Sequence, residues 1–179
     1  MKNGLLSRRI GATLFMLVLA GGLAQAIDTP DAWVTMKTKI ALMTTDGVST
    51  TDLNVDTVKG VVTLHGKVAT EAEKAKAETV ARGIEGAKDV KNLLQVVPSA
   101  QRAVVERSDD LIKTSIEAAF KANRRVATSG INVASVNKGV VLLSGKTKSL
   151  QAYLESVEVA SAVRGVRRVS TEVEVVPAS

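Results

Sequence analysis

Gly60-Val61-Val62-Thr63-Leu64-His65-Gly66-Lys67 returns 79 residues later as Gly139-Val140-Val141-Leu142-Leu143-Ser144-Gly145-Lys146. Each copy is a glycine turn followed by a run of β-branched and leucine residues, the pattern of a strand entered from a hairpin. At the same offset Val80-Ala81 pairs with Val159-Ala160, Gly86 with Gly165, Val90 with Val169, and Val96-Val97-Pro98 with Val175-Val176-Pro177. Apolar and glycine positions persist while charged ones drift, so one fold is used twice. A function resting on a single residue must then account for its absence from the twin.

Each copy reads as helix, two strands, helix, strand. Thr29-Pro30-Asp31 offers an N-cap hydroxyl, a proline at N1 and an early carboxylate. Trp33, Met36, Ile40 and Met43 then recur at helical spacing, as do Leu111, Ile112, Ser115, Ile116, Ala119 and Phe120 in the second copy. Trp33 is expected in the core rather than at an interface. Asn54 to Val58 alternates as a strand, Lys59-Gly60 turns it back, and Asn137-Lys138-Gly139 does the same in the copy. Thr70-Glu71-Ala72-Glu73 is a capping box opening a helix whose Ala77, Val80, Ala81 and Ile84 share a face. Ser149 is its counterpart cap, before Ser156, Val159, Ala160 and Val163. Val90 to Val97 and Val169 to Val176 are the expected closing strands, and residues 99–107 the expected linker.

Composition narrows the function. Lys2, Arg8 and Arg9 precede an apolar run from Ile10 to Leu19, and Ala24-Gln25-Ala26 has the small residues of a cleavage site, so residues 1–26 read as a secretory signal peptide. The chain has no cysteine, which removes disulfides, thiol catalysis and attachment of lipid to a processed N-terminal cysteine. One Trp, one Tyr and two Phe leave little for a base-stacking or sugar-stacking surface. Residues 27–98 hold nine Lys and Arg against ten Asp and Glu, whereas residues 99–179 hold twelve against eight. The basic character after the leader therefore lies in the second copy. An exported chain of this kind points away from nucleic acid and towards anionic lipid, envelope polymers or acidic proteins.

Reactive chemistry finds no support. Gly139 and Gly145 before Lys146-Thr147 are separated by five residues, not the four of a phosphate loop, and those five spell a strand. His65, the only histidine, alternates with Val62 and Leu64 and is expected on the surface, on the face turned from the helices. No paired-histidine metal pattern and no serine acid/base set accompanies it, so no catalytic residue, metal or cofactor is assigned.

The opening helix, the Asn-Val strand, Gly-Val-Val-x-Leu-x-Gly and the later Gly-x-x-x-Val, repeated in order over nearly all of the chain after the expected leader, resemble the BON domains (bacterial OsmY and nodulation). The resemblance implies an α+β fold: two tandem αββαβ repeats, residues 27–98 and 108–179, each with two helices packed on one face of a three-stranded mixed sheet. It further implies an exported, periplasmic envelope protein linked to osmotic stress, in several cases binding phospholipid, with no catalytic residues to carry over.

Two asymmetries between the copies suggest where partners bind. Lys121, Arg124 and Arg125 follow the first helix of repeat two, and Arg164, Arg167 and Arg168 follow its second, so these six are candidates for contact with an anionic phospholipid surface. Four or five such cations contribute about 4 to 5 kcal/mol, which is millimolar or somewhat tighter, reversible, salt-sensitive binding. Leu150, Leu154 and Val157 add an apolar stripe where repeat one has Glu71, Ala75 and Glu78. That stripe suits packing against repeat one, or, in an alternative reading, chaperone-like capture of exported client proteins beside an exposed sheet edge.

Overall fold

The computed structural model describes residues 30–176. The expected signal peptide, the Thr29 cap and Pro177 lie outside them. Repeat one runs α1 (Asp31–Met43), β1 (Leu53–Val58), β2 (Val61–Val68), α2 (Glu71–Arg82), β3 (Asp89–Asn92) and β4 (Gln95–Val96). Repeat two runs α3 (Arg102–Ala122), a short α4 (Arg124–Ala127), β5 (Ile131–Asn137), β6 (Val140–Thr147), α5 (Leu150–Ala162) and β7 (Arg168–Val175). In both repeats the first two strands form an antiparallel hairpin and the closing strand runs parallel to the second, so the sheets are mixed with β2 or β6 in the middle.

Local chemistry explains most of these elements. Both hairpins turn on two residues of positive φ, Lys59 (53°) with Gly60 (79°) and Lys138 (51°) with Gly139 (75°), whose twist matches the flanking strands. Thr70 accepts from the Glu73 N–H and Ser149 from the Ala152 N–H, each closing the open end of a helix. The second half of the Thr70 capping box departs from expectation. The Glu73 carboxylate accepts from Ser49 N at 2.6 Å and Ala69 N at 2.8 Å, so it pins the loop before β1 to α2.

Three features add to or differ from the expectation. The linker is mostly helix: residues 99–101 form a 3-10 turn and α3 starts at Arg102, whose guanidinium binds Asp52 of repeat one. The closing strand of repeat one is interrupted at Leu93 and Leu94, both buried, because the Asn92 side chain accepts from Leu94 N and turns the chain. The β7 strand has no such break. Finally, Pro30 occupies the N-cap of α1 and Asp31 caps something else: its carboxylate accepts from Lys59 N at 2.7 Å and Gly60 N at 2.8 Å. Asp109 does the same for Lys138 N at 2.9 Å and Gly139 N at 3.1 Å. The opening helix of each repeat is thus tied to its hairpin turn.

These aspartates are 78 residues apart, not 79. The β5–β6 register shifts between Val133 and Ser135, so Ala134 is one extra residue in a β-bulge. Leu53 faces Gly66 as Ile131 faces Gly145, and beyond the bulge Thr57 faces Val62 as Val136 faces Val141.

Each sheet carries its two helices on one face. Val62 and Leu64 join Val34, Leu42, Val55, Ala77 and Ala81 in the first core, and Val141 and Leu143 join Ile112, Ile116, Phe120 and Ala160 in the second. The reverse faces are buried as well: Thr63 and His65 in β2, Val140 and Leu142 in β6. They are buried because the two sheets meet there, giving layers in the order helices, sheet, sheet, helices. Lys67 Nζ lies 3.4 Å from Asp109, Lys59 Nζ lies 3.6 Å from Glu174, and Lys138 Nζ donates to Val96 O at 3.1 Å, all across this junction. His65 therefore sits on the expected face, but that face is not the surface: His65 is 6% exposed. Its Nε2 is 2.8 Å from Asp56 Oδ2.

Candidate functional site

Helix α1 has two apolar faces. Val34, Thr38 and Leu42, at i, i+4 and i+8, are fully buried against the first sheet. Trp33, Met36, Ile40 and Met43, the stripe that helical spacing picks out, lie on the opposite side and are exposed, Trp33 by 48% and Met43 by 70%. The expectation that Trp33 is a core anchor is overturned. Periodicity detects an apolar face but does not choose between two of them; the tie from Asp31 to the Lys59-Gly60 turn rotates Val34 inward.

The twin repeat shows that this outer stripe is not needed for folding. With the offset of 78, buried Val34, Thr38 and Leu42 become buried Ile112, Ile116 and Phe120. Outer Trp33, Met36, Ile40 and Met43 become Leu111, Thr114, Ala118 and Lys121. The inner face is retained and the outer one is not. Around the wheel the stripe is bordered by Lys37 on one side and Lys39 on the other. Lys37 Nζ is 5.5 Å from the centroid of the Trp33 ring and 2.9 Å from Glu85 Oε2, whose carboxyl it holds below the usual glutamate range. The result is an apolar ridge flanked by cations on the outer layer of the molecule.

The six cations of repeat two do not gather. Lys121, Arg124 and Arg125 sit at the end of α3 and in α4, beside the Ile131 end of β5. Arg164, Arg167 and Arg168 sit by the Lys138-Gly139 turn at the other end, where Arg167 N donates to Gly139 O and its guanidinium to Lys138 O. The seven residues of β5 between them span about 20 Å. Arg125 is moreover bonded to Glu155 of α5.

The α5 stripe divides too. Val157 packs against the second core, whereas Leu150 (59%) and Leu154 (52%) are exposed. Being on the helical layer of repeat two, they are turned away from the sheet junction that joins the repeats, so packing on repeat one is not their role. Val104 and Leu111 are the other large apolar residues exposed on α3.

The junction holds the remaining polar cluster. Asp56 is held below the usual aspartate range by its hydrogen bond to His65, against the opposing effect of burial. Glu172 of β7 is pushed above the usual glutamate range by burial, with Asp56 adding to the rise and Thr63, His65 and Lys91 opposing it. Among the described residues there is no group of three or more His, Asp or Glu that could hold a metal ion, and no helix long and apolar enough to cross a membrane.

Two αββαβ modules docked sheet to sheet, with the features that distinguish the copies on outer helices, make this a tandem-repeat α+β protein. A family model for the BON domain matches residues 30–98 and 108–177, and the chain belongs to that family. It is 34% identical over 145 residues to osmotically-inducible protein Y of Escherichia coli, covering 80% of this chain and 72% of that protein. It is 32% identical over 117 residues to the outer membrane lipoprotein DolP of Haemophilus influenzae, covering 65% of this chain and 59% of that one. Among solved structures the C-terminal domain of CdsD, a structural protein of the Chlamydia trachomatis type III secretion system, aligns over 82% of this chain and 67% of that chain, at 16% identity and a TM-score of 0.31.

Proposed function

We propose that this protein is a non-enzymatic, periplasmic protein of the envelope and osmotic-stress response that associates peripherally with anionic phospholipid surfaces, and that helix α1 makes the contact. The observation that carries the reading is the exposed Trp33-Met36-Ile40-Met43 ridge between Lys37 and Lys39, which the second repeat folds without. Fully burying such a side chain contributes about 1.5 to 3 kcal/mol, so four that are already half covered supply about 4 kcal/mol. Lys39 near an anionic surface adds about 1 kcal/mol, the charge of Lys37 being offset by Glu85. The sum corresponds to binding between millimolar and micromolar, reversible and weakened by salt. The six arginines and lysines of repeat two then act at longer range, as attraction to the same surface rather than as one docking patch.

Trp33 is the only tryptophan, so its emission reports the contact directly. Vesicles containing anionic phospholipid at low salt are expected to shift that emission to the blue and carry the protein in flotation, while neutral vesicles do neither. Replacing Met36 and Ile40 together by Gln abolishes recovery; Arg124→Ala with Arg125→Ala lowers it only severalfold. Equal recovery on neutral and anionic vesicles, or an unshifted tryptophan, refutes the proposal.

The exposed Leu150 and Leu154 on α5 favour a second reading, chaperone-like holding of exported client proteins. It requires that suppression of client aggregation survive high salt and be lost in Leu154→Asp but not in the Arg124→Ala, Arg125→Ala variant.

A further inference from the structure

Among the described residues, the junction between the repeats contains a carboxyl without a cation bonded to it. Glu174, one turn of the pleat further along β7, is matched by Lys146 at 2.8 Å and Lys59 at 3.6 Å, and Asp109 by Lys67. Glu172 Oε1 is buried and has no hydrogen-bond partner among the described residues. The groups facing it are Thr63 and His65 from β2, Asp56 from β1 and Lys91 from β3, whose Nζ is directed at Thr171 O at 3.5 Å. Thr63 Oγ1 and His65 Nδ1 of β2 are likewise buried with no hydrogen-bond partner among the described residues, so with Glu172 the junction holds unused hydrogen-bonding capacity on both sides. Asp56 is engaged by His65 and faces Lys39 beyond it. A cleft of about 610 Å3 lined by Asp31, Asp56, Lys146, Glu172 and Glu174 gives solvent a path to the cluster.

A carboxylate pressed between two sheets costs more than a neutral carboxyl, and the neutral form also gains an O–H donor. We propose that the docking of the two repeats is proton-gated: uptake of one proton by Glu172 lets its carboxyl hydrogen-bond across the junction, and the sheets hold each other more tightly in mildly acidic than in neutral solution. The twin again serves as a control. Asp56 and His65 correspond to Ser135 and Ser144, so neither acid nor imidazole is demanded by the repeat itself. Because the docked carboxyl binds its proton more tightly than the free one, docking takes up a proton. Docking is therefore strongest below the ordinary glutamate range and weakens as pH rises through the docked value.

The chain has no cysteine, so Ser135→Cys, on the junction face of β5, supplies one reporter whose thiol-labelling rate measures opening. Comparing that protein with and without Glu172→Gln at the same pH cancels the ionisation of the thiol. At pH 7.5 Glu172→Gln slows labelling, by roughly tenfold for each unit by which docking raises the carboxyl. At pH 4.5 the two rates converge. An equal ratio at both pH values, or faster labelling of the Gln variant, overturns the proposal. Titration of the Glu172 carboxyl carbon by NMR in the unsubstituted protein decides it independently: a midpoint above the ordinary glutamate range supports it, and one within or below that range refutes it.

Discussion

At the scale of single residues, two glycines and two aspartates do more than the apolar positions that advertise the repeat. Gly66 has φ 120°, and a Cβ there would lie 1.9 Å from Asp52 O; Gly145 has φ 128°, with Gly130 O at 2.1 Å. Only glycine lets the incoming loop cross so close to the middle strand. Gly66→Ala is expected to destabilise by about 3 kcal/mol in urea titration, because the obstructing atom is backbone and cannot move aside. Gly83, with φ −81° at the end of α2, is the contrast: Gly83→Ala should be neutral or stabilise by up to about 1 kcal/mol. Equal losses at the two positions would refute the crossing as the cause. The pairing of Asp31 with Asp109 was legible in principle, but only with the offset of 78, which the bulge at Ala134 conceals from a comparison held at 79.

At the scale of elements, α1 separates what folds the protein from what it offers to a partner. Leu42→Ala opens a cavity in the first core and is expected to cost about 2 to 5 kcal/mol. Ile40→Gln, two residues away on the outer ridge, is expected to leave the unfolding midpoint within about 0.5 kcal/mol of the parent while weakening association with anionic vesicles. A large stability loss from Ile40→Gln would mean that the ridge is packed and the reading of this helix is wrong. Helical spacing reveals an apolar face; here the more conspicuous face is the outer one, and the inner one includes a threonine whose hydroxyl is spent on Val34 O at 2.8 Å. In α2 and α5 the expected faces do pack inward, through Ala77, Ala81, Ser156 and Ala160, because each of those helices leaves small residues to approach the sheet.

At the scale of the whole molecule, the repeats are joined by both sheets rather than by a tether. Asp109 is buried, receives two turn amides of its own repeat and pairs with Lys67 of the other. Asp109→Ala strands that lysine and both amides and is expected to cost about 3 kcal/mol, against about 1 kcal/mol for Asp31→Ala, whose carboxylate is only partly buried and holds the turn amides of its own repeat. Calorimetry of the intact chain should show one unfolding transition, and two resolved transitions would show that the junction is too weak to couple the repeats. Acid acts on this junction in both directions. Asp56, held low by His65, contributes stability that is complete above the ordinary aspartate value and is lost as pH falls through its lowered one. Asp56→Asn should therefore flatten the loss of stability seen in strong acid and, by removing a negative charge beside Glu172, also lessen the opposite, milder dependence that belongs to that carboxyl.

The amino-acid sequence alone determined the duplication, the order αββαβ, the two-residue hairpins and the helix caps at Thr70 and Ser149. Each of these is set by neighbours a few residues apart, through glycine's access to positive φ, strand alternation and the open N–H groups of a helix end. Only the tertiary structure decided that Trp33 faces out, that His65 is enclosed, and that Lys121, Arg124 and Arg125 lie far from Arg164, Arg167 and Arg168. Those outcomes depend on the rotation of a helix about its axis and on which sheet faces meet. Both are set by contacts between segments distant in the chain, and local periodicity carries no record of them.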